Sequence, residues 1–373
     1  MTPYNRVIGW LHEVIARKAS DLFLTAGFPP ALKLDGHVTP LTETPLSTNE
    51  TQALARSVMN EKQWGQFANH HEANFAIADP EIGRFRVSVF LQQGRVGAVF
   101  RRINTDIPRM EDLHLPPSMH DVALVPRGLV LLVGGTGTGK STSLAAMIGY
   151  RNGQRQDHIL TVEDPIEFVH QHDRSIITQR EVGSDTESWE VALKNSLRQA
   201  PDVILIGEIR DRGMMEFALQ YAETGHLCLS TLHANNSNQA LERIMSFFPL
   251  ERREQLLLDL SMNLKAIISQ RLIPRSDVVG RIAAVEVMLA SPLISDLIRN
   301  GRLDEIKPIM ARSRDLGMQT FDQSLFDLYS NGVISAEDAL RNADSYNDLR
   351  IKIKYKPEAE DESLKGADHF GLL

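Results

Sequence analysis

The pattern of hydrophobic and polar positions changes near residue 104, which predicts two structural regions of different type. Before that point, three segments alternate apolar and polar residues, as strands with one buried face do. They cover residues 73–78, 83–92 and 95–103. Beyond it, short apolar runs alternate with helical stretches, which is typical of a parallel sheet covered by helices on both faces. These runs cover residues 129–133, 158–162, 203–206 and 227–232.

The first region, residues 1–103, is predicted to be a compact α+β domain. Its N-terminal segment 7–16 has apolar residues at helical spacing. An amphipathic membrane anchor and a core-packed helix both fit this spacing, and the mixed charge of the flanks favours the core helix. The other local signals predict strands at 21–25 and 31–34, a hairpin turn at Asp35-Gly36, and a capped helix from Ser47 to about residue 60.

The next segments predict how the chain continues and ends. Residues 104–117 are polar, contain proline and lack periodicity, which predicts a linker between domains. Strand signals mostly stop after Asn235, so the second domain, 118–355, is predicted to end in helices. These are placed at 238–247, 250–271, 293–300, 319–330 and from Ser335 onward. The last segment, 356–373, is polar and mainly acidic, which predicts a disordered tail.

Composition narrows the classes of protein that fit. The chain has 373 residues and a formal net charge of −8, which counts against a surface built to neutralise nucleic-acid phosphates. Its single cysteine, Cys228, allows neither an intrachain disulfide nor a four-thiolate zinc site, and fits a reducing cytosol. The N-terminus lacks the apolar core of a secretory signal, and no run approaches the ~20 apolar residues of a membrane span. We therefore expect a cytoplasmic protein that contacts a membrane only through partner proteins.

The segment after the apolar run 128–133 predicts a phosphate-binding loop. It has a glycine, four intervening residues and then Gly-Lys-Ser, with a helical stretch after it. Glycines let consecutive backbone amides turn towards a phosphate at a helix N-terminus, although a glycine-rich turn that only happens to precede a helix is the alternative. Lys140 would reach the β- and γ-phosphates of ATP, and the Ser141 hydroxyl would ligate Mg²⁺. The predicted ATP-binding residues are Gly134, Gly135, Thr136, Gly137, Thr138, Gly139, Lys140, Ser141 and Thr142.

Two carboxylates at predicted strand ends are candidates for the chemistry of ATP hydrolysis. Glu208 follows the apolar run 203–206, as expected of a Walker B acid that holds the Mg²⁺ shell. Glu163 follows the run 158–162 and precedes Pro165, and a carboxylate there can orient the attacking water. A core strand that ends in a surface glutamate is the alternative for Glu208, and ordinary turn chemistry is the alternative for Glu163.

Histidines and arginines complete the set of candidate catalytic residues. His226 and His233 bracket the run 227–232, so they are expected at opposite edges of the sheet. His233 is the candidate γ-phosphate sensor, His226 is a candidate for a subunit boundary, and a hydrogen-bonded loop histidine is the alternative for each. Arg84 and Arg86 share one strand face, from which they could neutralise phosphoryl charge in a neighbouring subunit of a ring. A surface face of salt bridges is the alternative for these arginines.

The order of these motifs resembles that of the secretion and pilus ATPase superfamily. The Walker A box at 134–141, an Asp box at 163–167, the Walker B box ending at Glu208 and a His box at 224–233 follow one another as they do there. Over about residues 4–355 the chain resembles the PilT/PilU family of type IV pilus retraction ATPases, and within that family it is most similar to the PilU branch. The finer resemblance is carried by segments 198–202, 233–236 and 319–323 and by the extended tail.

The resemblance implies a fold, partners and roles for individual residues. It implies a homo-hexamer in which a PAS-like N-terminal domain packs on the neighbour's RecA-like ATPase domain, with ATP and Mg²⁺ between them and a helical bundle at the C-terminus. It also implies that Glu163 is the catalytic carboxylate and Glu208 the Walker B acid. The arginines implied to contact the phosphates are Arg84, Arg86 and Arg101.

The resemblance further implies a cellular role. ATP hydrolysis would power or assist pilus retraction and twitching motility, at the inner face of the cell membrane. The implied partners are an inner-membrane pilus platform protein and a paralogous retraction ATPase.

Three other functions fit parts of the pattern. A pilus-assembly or type II secretion ATPase shares the chemistry, but those relatives commonly carry a four-cysteine zinc insertion and a longer N-terminal region. A RecA-like nucleic-acid motor predicts stimulation by DNA or RNA, which the acidic balance disfavours. An interaction subunit with degenerate chemistry is disfavoured because Lys140, Ser141, Glu163 and Glu208 are all present.

Overall fold

The computed structural model describes residues 1–34, 36–103 and 106–355. The described residues form two compact units, one within 1–109 and 148–207, the other within 110–147 and 208–355. The predicted tail, 356–373, lies outside the described residues, as do Asp35 of the predicted turn and residues 104–105 of the predicted linker. The domain boundaries at 103, 117 and 355 stay predictions.

Helices and strands follow one another differently before and after residue 104. The elements before it are α1 (Pro3–Ala16), β1 (Asp21–Leu24), β2 (Ala31–Leu34), β3 (His37–Pro40), α2 (Thr48–Ser57), α3 (Glu61–His70), β4 (Glu72–Asp79), β5 (Gly83–Gln92) and β6 (Arg95–Ile103). Those after it are α4 (Ser118–Leu124), β7 (Gly128–Val133), α5 (Lys140–Gln154), β8 (His158–Glu163), β9 (Ile176–Glu181), α6 (Trp189–Ser196), β10 (Val203–Ile206), α7 (Arg212–Glu223), β11 (Leu227–Leu232), α8 (Ser237–Ser246), α9 (Arg253–Asn263), β12 (Leu264–Pro274), β13 (Arg281–Leu289), α10 (Pro292–Arg299), α11 (Ile306–Arg312), α12 (Phe321–Ser330), α13 (Ala336–Arg341) and α14 (Tyr346–Lys354).

An antiparallel sheet organises the N-terminal part of the first unit. Its strand order is β3-β2-β1-β6-β5-β4, and one face packs on helix α1. Val7, Leu11 and Val14 of that helix are fully buried in the same core cluster as Phe85 and Val87 of β5. The N-terminal helix is therefore a core helix, as its flanking charges favoured. The alternating segments at 83–92 and 95–103 are confirmed as the paired strands β5 and β6.

Parallel strands form the centre of the α/β part in each unit. In the first unit β8 lies between β10 and β9 and runs parallel to both. In the second unit β7 lies between β11 and β12 and runs parallel to both. Every residue of β7, β10 and β11 is buried, as expected for strands covered on both faces. The four apolar runs predicted as strands are confirmed.

The predicted helix at 250–271 is wrong in its second half. Helix α9 ends at Asn263, and the chain from Leu264 forms β12 beside β7. Ala266, Ile267 and Ile268 are completely buried there. An apolar run buried on both faces has no period that separates a strand from a helix, which explains the error.

The expectation that strands mostly stop after Asn235 is also wrong. Strand β13 pairs antiparallel with β12 along its whole length. All its positions from Ile282 to Met288 are buried, so it too lacks an alternating pattern. The sheet of the second unit is therefore mixed and not purely parallel.

Helices cover one side of the β12–β13 pair. Phe321 and Leu325 of α12 are fully buried and pack in one cluster with Ile273 of β12 and Ile282 of β13. The predicted helices at 238–247, 293–300 and 319–330 are confirmed as α8, α10 and α12, and Ser335 caps α13 as its spacing predicted. Within the described part of the chain, no helix is long and apolar enough to cross a membrane.

Candidate nucleotide site

The loop between β7 and α5 has positions that only glycine can fill. A Cβ on Gly134 would lie 2.5 Å from Oγ1 of Thr138 and 2.7 Å from the backbone oxygen of Gln270. Gly139 has φ +89°, and a Cβ there would lie 2.7 Å from the side-chain nitrogen of Gln270. The loop can therefore fold closely at the start of α5 only because both side chains are missing. This close cradle fits a phosphate at a helix N-terminus, as the glycine spacing predicted.

Gly134→Ala is expected to weaken ADP binding by about tenfold or more, because overpacking against backbone costs about 1–3 kcal/mol and distorts the loop. Calorimetric titration of ADP measures the affinity. Gly65→Ala in α3 is the control, because a Cβ there meets open space. It should leave ADP affinity unchanged and stabilise the fold by about 0.5–1 kcal/mol. Unchanged affinity in Gly134→Ala would contradict the assignment of this loop.

Lys140 supplies the buried cation of the loop. Its Nζ donates to the backbone oxygen of Gly134 at 2.8 Å and to that of Gly135 at 2.7 Å. Burial lowers the pKa of Lys140 below its ordinary value, and the negative charge of Glu208 opposes this shift. Two carbonyl dipoles thus hold the ammonium group, so a phosphate with full negative charges can compete for it.

Glu208 and His233 meet at the end of β11. His233 Nε2 lies 3.1 Å from Oε1 of Glu208, and Arg210 Nε donates to the other carboxylate oxygen at 3.3 Å. The side chains of Glu208 and His233 are 24% and 47% exposed, so a ligand can reach both from solvent. The carboxylate predicted as the Walker B acid and the histidine predicted as the sensor are therefore direct partners.

A pocket of about 480 Å³ joins the P-loop to the His box. Gly135 of the loop and His233 line it, together with Asn235 and Arg243. Its volume lies within the range of small-molecule sites. Two of the four predicted motifs therefore line one pocket in the second unit, and Glu208 of a third motif contacts the pocket residue His233.

The residues predicted to ligate Mg²⁺ fit the needs of that ion. Ser141 is exposed in the first turn of α5. The residues that the structure describes contain no group of three His, Cys, Asp or Glu side chains able to hold a metal. Mg²⁺ needs no such group, because it binds through one or two protein oxygens together with phosphates and waters. Ser141 and Glu208 supply that kind of donor.

Glu163 ends β8 in the first unit and is held by two neighbouring side chains. Its Oε1 accepts hydrogen bonds from Thr161 Oγ1 at 2.7 Å and from Gln179 Nε2 at 3.2 Å. Burial raises the pKa of Glu163, and these hydrogen bonds oppose the shift. Gln179 also donates to the backbone oxygen of Phe168 at 2.9 Å, so it ties the carboxylate to the segment after the Asp box. Gln179 was missed because its strand, β9, carries no alternating apolar pattern.

The three predicted arginines lie on one face of the N-terminal sheet. Arg86 is directly opposite Arg101 on the next strand, and Arg84 is two residues from Arg86. Arg101 Nε donates to Asp21 Oδ1 at 2.7 Å. The Nε of Arg84 is buried and has no hydrogen-bond partner among the described residues. One donor of the Arg84 guanidinium is therefore unused within that part of the chain, and it is closed off from solvent.

Glu181 connects Arg84 to the Asp box. It lies opposite Glu163 in the register of β8 and β9. Its Oε2 accepts from Arg84 Nη2 at 3.3 Å and from the backbone N–H of Ile166 at 3.2 Å. Arg84 is thus part of an ion pair within the first unit. Such a pair is what the alternative interpretation, a face of salt bridges, predicts for this arginine.

His226 lies at the other end of the strands from His233. Its Nδ1 is 3.0 Å from Thr224 Oγ1, and its backbone oxygen accepts from the N–H of Gly128 at the start of β7. The P-loop begins at the far end of β7, so His226 is at the remote edge, as strand geometry predicted. Its role at a subunit boundary stays a prediction.

Gln270 of β12 is a site residue that the sequence pattern concealed. Its Oε1 accepts from Ser143 Oγ of α5 at 2.8 Å, and its backbone and side chain limit the space at Gly134 and Gly139. The residue is only 4% exposed. A glutamine within an apolar run could have indicated this site residue. It was not identified because the segment was assigned to a helix.

Comparison with known proteins agrees with this geometry. Residues 9–292 match the family described as Type II/IV secretion system protein. The chain is 58% identical to the type IV pilus ATPase PilU of Pseudomonas aeruginosa, over 97% of this chain and 94% of that protein. It is 42% identical to the type IV pilus retractation ATPase PilT of the same organism, over 87% of this chain and 94% of that protein. The crystal structure of the pilus retraction motor PilT with bound ADP has a TM-score of 0.86 at 41% identity, covering 91% of this chain and 98% of that one.

The likeness to that crystal structure confirms the predicted fold class. An N-terminal α+β domain is followed by a RecA-like P-loop ATPase domain, and helices complete the C-terminal part. The roles of the individual site residues stay predictions.

Proposed function

Because this chain belongs to the Type II/IV secretion system protein family, we propose that it is an ATP-hydrolysing motor of the type IV pilus system. Its ATPase activity powers or assists pilus retraction and twitching motility. The pocket shared by Gly135 and His233, with Glu208 bonded to that histidine, is the observation that carries the proposal. The identity to PilU and PilT supports the assignment to the pilus system.

In this proposal the chain's own residues bind and orient ATP. Lys140 exchanges the carbonyl oxygens of Gly134 and Gly135 for the terminal phosphates, whose full charge makes a stronger hydrogen bond. Ser141 and Glu208 would hold Mg²⁺. When bound, Mg²⁺ neutralises charge that develops on the phosphates. His233 senses the terminal phosphate from the same pocket.

Glu163 is proposed to orient the attacking water and accept its proton. Thr161 and Gln179 hold its carboxylate in place, and burial raises its pKa towards the working range of a general base. The phosphates are also contacted by arginines of a neighbouring subunit in a homo-hexamer, an idea supported by the position of three arginines on one face of the N-terminal sheet. These arginines are Arg84, Arg86 and Arg101, and His226 lies at the subunit boundary.

The domain organisation and the partners are proposed on the same basis. Residues 1–103 and 118–355 act as domains, and ATP hydrolysis changes their relative orientation across the linker 104–117. That motion is passed to an inner-membrane pilus platform protein. The protein works in the cytoplasm at the inner face of the membrane, together with a paralogous retraction ATPase, and binds no nucleic acid.

Deletion of the gene, alone and together with its paralogue, tests the proposed direction of work. We expect surface pili to accumulate and twitching to decrease, because pili are extended but withdrawn less. Counting surface pili and measuring twitching zones gives both readouts. Complementation with the Lys140→Ala gene should fail, whereas the unaltered gene should restore twitching. Loss of surface pili on deletion would contradict retraction and indicate pilus assembly.

A further inference from the structure

We infer that Arg271 is a positioning residue that couples the turn after His233 to the C-terminal helices. The inference rests on the proposed function, since the signal begins with nucleotide at the P-loop. Arg271 directly follows Gln270 on β12, and successive strand residues point to opposite faces. One strand therefore lies against the P-loop and α5 at Gln270 and contacts the turn 234–236 through Arg271.

The turn after His233 is held by a polar contact at each end. His233 is held by its carboxylate partner at 3.1 Å. At the other end, Ser237 donates its backbone N–H and its hydroxyl to the buried Glu286, at 2.8 and 2.7 Å. Between these contacts, the backbone oxygen of Asn235 accepts from Arg271 Nη2 at 3.2 Å. The middle of the turn is therefore held by Arg271 together with two other side chains, since Gln239 accepts from Asn235 and Asp344 accepts from Asn236.

The same nitrogen of Arg271 also bonds Asp344. Nη2 donates to Asp344 Oδ1 at 2.7 Å, and Nη1 donates to the backbone oxygen of Asn342 at 2.5 Å. The guanidinium carbon lies 4.0 Å from the ring centroid of Phe321. A rigid planar group thus spans the turn and the C-terminal segment. A shift of Asn235 must then be matched at Asp344, or one of the bonds is lost.

Asp344 extends the contact to two helices. Its Oδ2 accepts from Lys307 Nζ of α11 at 2.6 Å. The backbone N–H groups of Asp344 and Ser345 donate to the carboxylate of Asp322 in α12, at 2.8 and 3.0 Å. The Asp344 side chain is only 9% exposed, so water competes little for its pair with Arg271. Hydrogen bonds therefore run without a gap from Asn235 to α11 and α12.

An open pocket gives this network room to rearrange. It has a volume of about 490 Å³ and is lined in part by Asn235, Arg271, Lys307 and Asp344. A close-packed interior resists such changes of partner, whereas side chains at a pocket wall can move into it. Asn235 also lines the pocket of Gly135 and His233. It is therefore shared by the nucleotide pocket and the pocket beside the C-terminal helices.

Hydrogen exchange of the purified full chain, with and without ADP, tests the coupling. We expect ADP to slow exchange at the amides of Asp344 and Ser345 by about fivefold or more. Arg271→Lys keeps the charge but loses the planar fork, so it should abolish this difference while ADP affinity stays within about twofold. Arg302→Lys is the matched control, because Arg302 forms an exposed ion pair with Glu305, and it should keep the full ADP effect.

Asp344→Asn is the second variant, and it decides the question if Arg271→Lys does not fold. It removes the charged partner of Arg271 but leaves the bond to Asn235, so it should also abolish the ADP effect. An effect that persists in either folded variant would overturn the inference, as would its absence from the unaltered chain that binds ADP. Failure of the proposed function looks different, because the unaltered chain would then neither bind ADP nor hydrolyse ATP.

Discussion

Lys140→Ala is expected to lower kcat/KM for ATP by about 100-fold or more, because the variant loses the cation proposed to pair with the transferring phosphoryl group. The carbonyl oxygens of Gly134 and Gly135 lose their shared donor as well, which loosens the loop. Release of inorganic phosphate at saturating Mg²⁺ measures the effect. Lys62→Ala is the control, because Lys62 is exposed on α3 and should not affect turnover. Unchanged activity in Lys140→Ala would exclude the P-loop as the site of hydrolysis.

Mixing Lys140→Ala subunits with Arg84→Ala subunits tests whether one site uses two chains. Each variant alone should be inactive, because every site in its ring lacks one group. In a randomly mixed ring, about one quarter of the interfaces pair an intact Lys140 with an intact Arg84 of the neighbour, so activity should return towards that fraction. If both groups acted within one chain, no mixed ring would regain activity.

The elements that sequence predicted correctly are those in which a local pattern and burial agree. In β5, Phe85 and Val87 are buried while Arg84 and Arg86 lie on the other face, which is the alternation visible in the chain. The P-loop was predictable for a different reason. Its chemistry requires glycines at fixed spacing, and the structure shows that a side chain at Gly134 would strike backbone.

The residues that sequence could not assign are those whose partners are distant along the chain. Gln270 bonds a residue 127 positions away, and Arg271 bonds residues 36 and 73 positions away. These distant partners produce no periodic pattern in the sequence near β12. Because that strand is buried on both faces, its local pattern also failed to identify it as a strand. The contacts of Gln270 and Arg271 could therefore be identified only from the folded structure.

Glu163→Gln is expected to lower kcat by roughly 10²–10⁴-fold with little change in ADP affinity, because an amide cannot accept the proton of the attacking water. Its side-chain oxygen can still accept from Thr161, so the local geometry is kept. Single-turnover hydrolysis and ADP titration measure the two quantities separately. Glu167→Gln is the matched control, because Glu167 is an exposed carboxylate of the same Asp box, and it should retain most activity. Equal losses in both variants would contradict a specific role for Glu163.

The pH dependence separates this chemical role from a structural one. Burial raises the pKa of Glu163, so its carboxylate is lost as pH falls through that raised value, and turnover should fall with it. The contribution of Glu163 to folding stability changes with pH in the opposite direction. A carboxyl group whose pKa is raised on folding stabilises the fold below its unfolded pKa, and this contribution disappears as pH rises through the folded value. The glutamine in Glu163→Gln does not titrate, so at neutral pH this variant should unfold no more easily than the unaltered chain. Its residual turnover should also lack the fall at low pH, which is the acidic limb of the pH profile. An acidic limb that persists in the variant would assign the titration, and the general base, to another group.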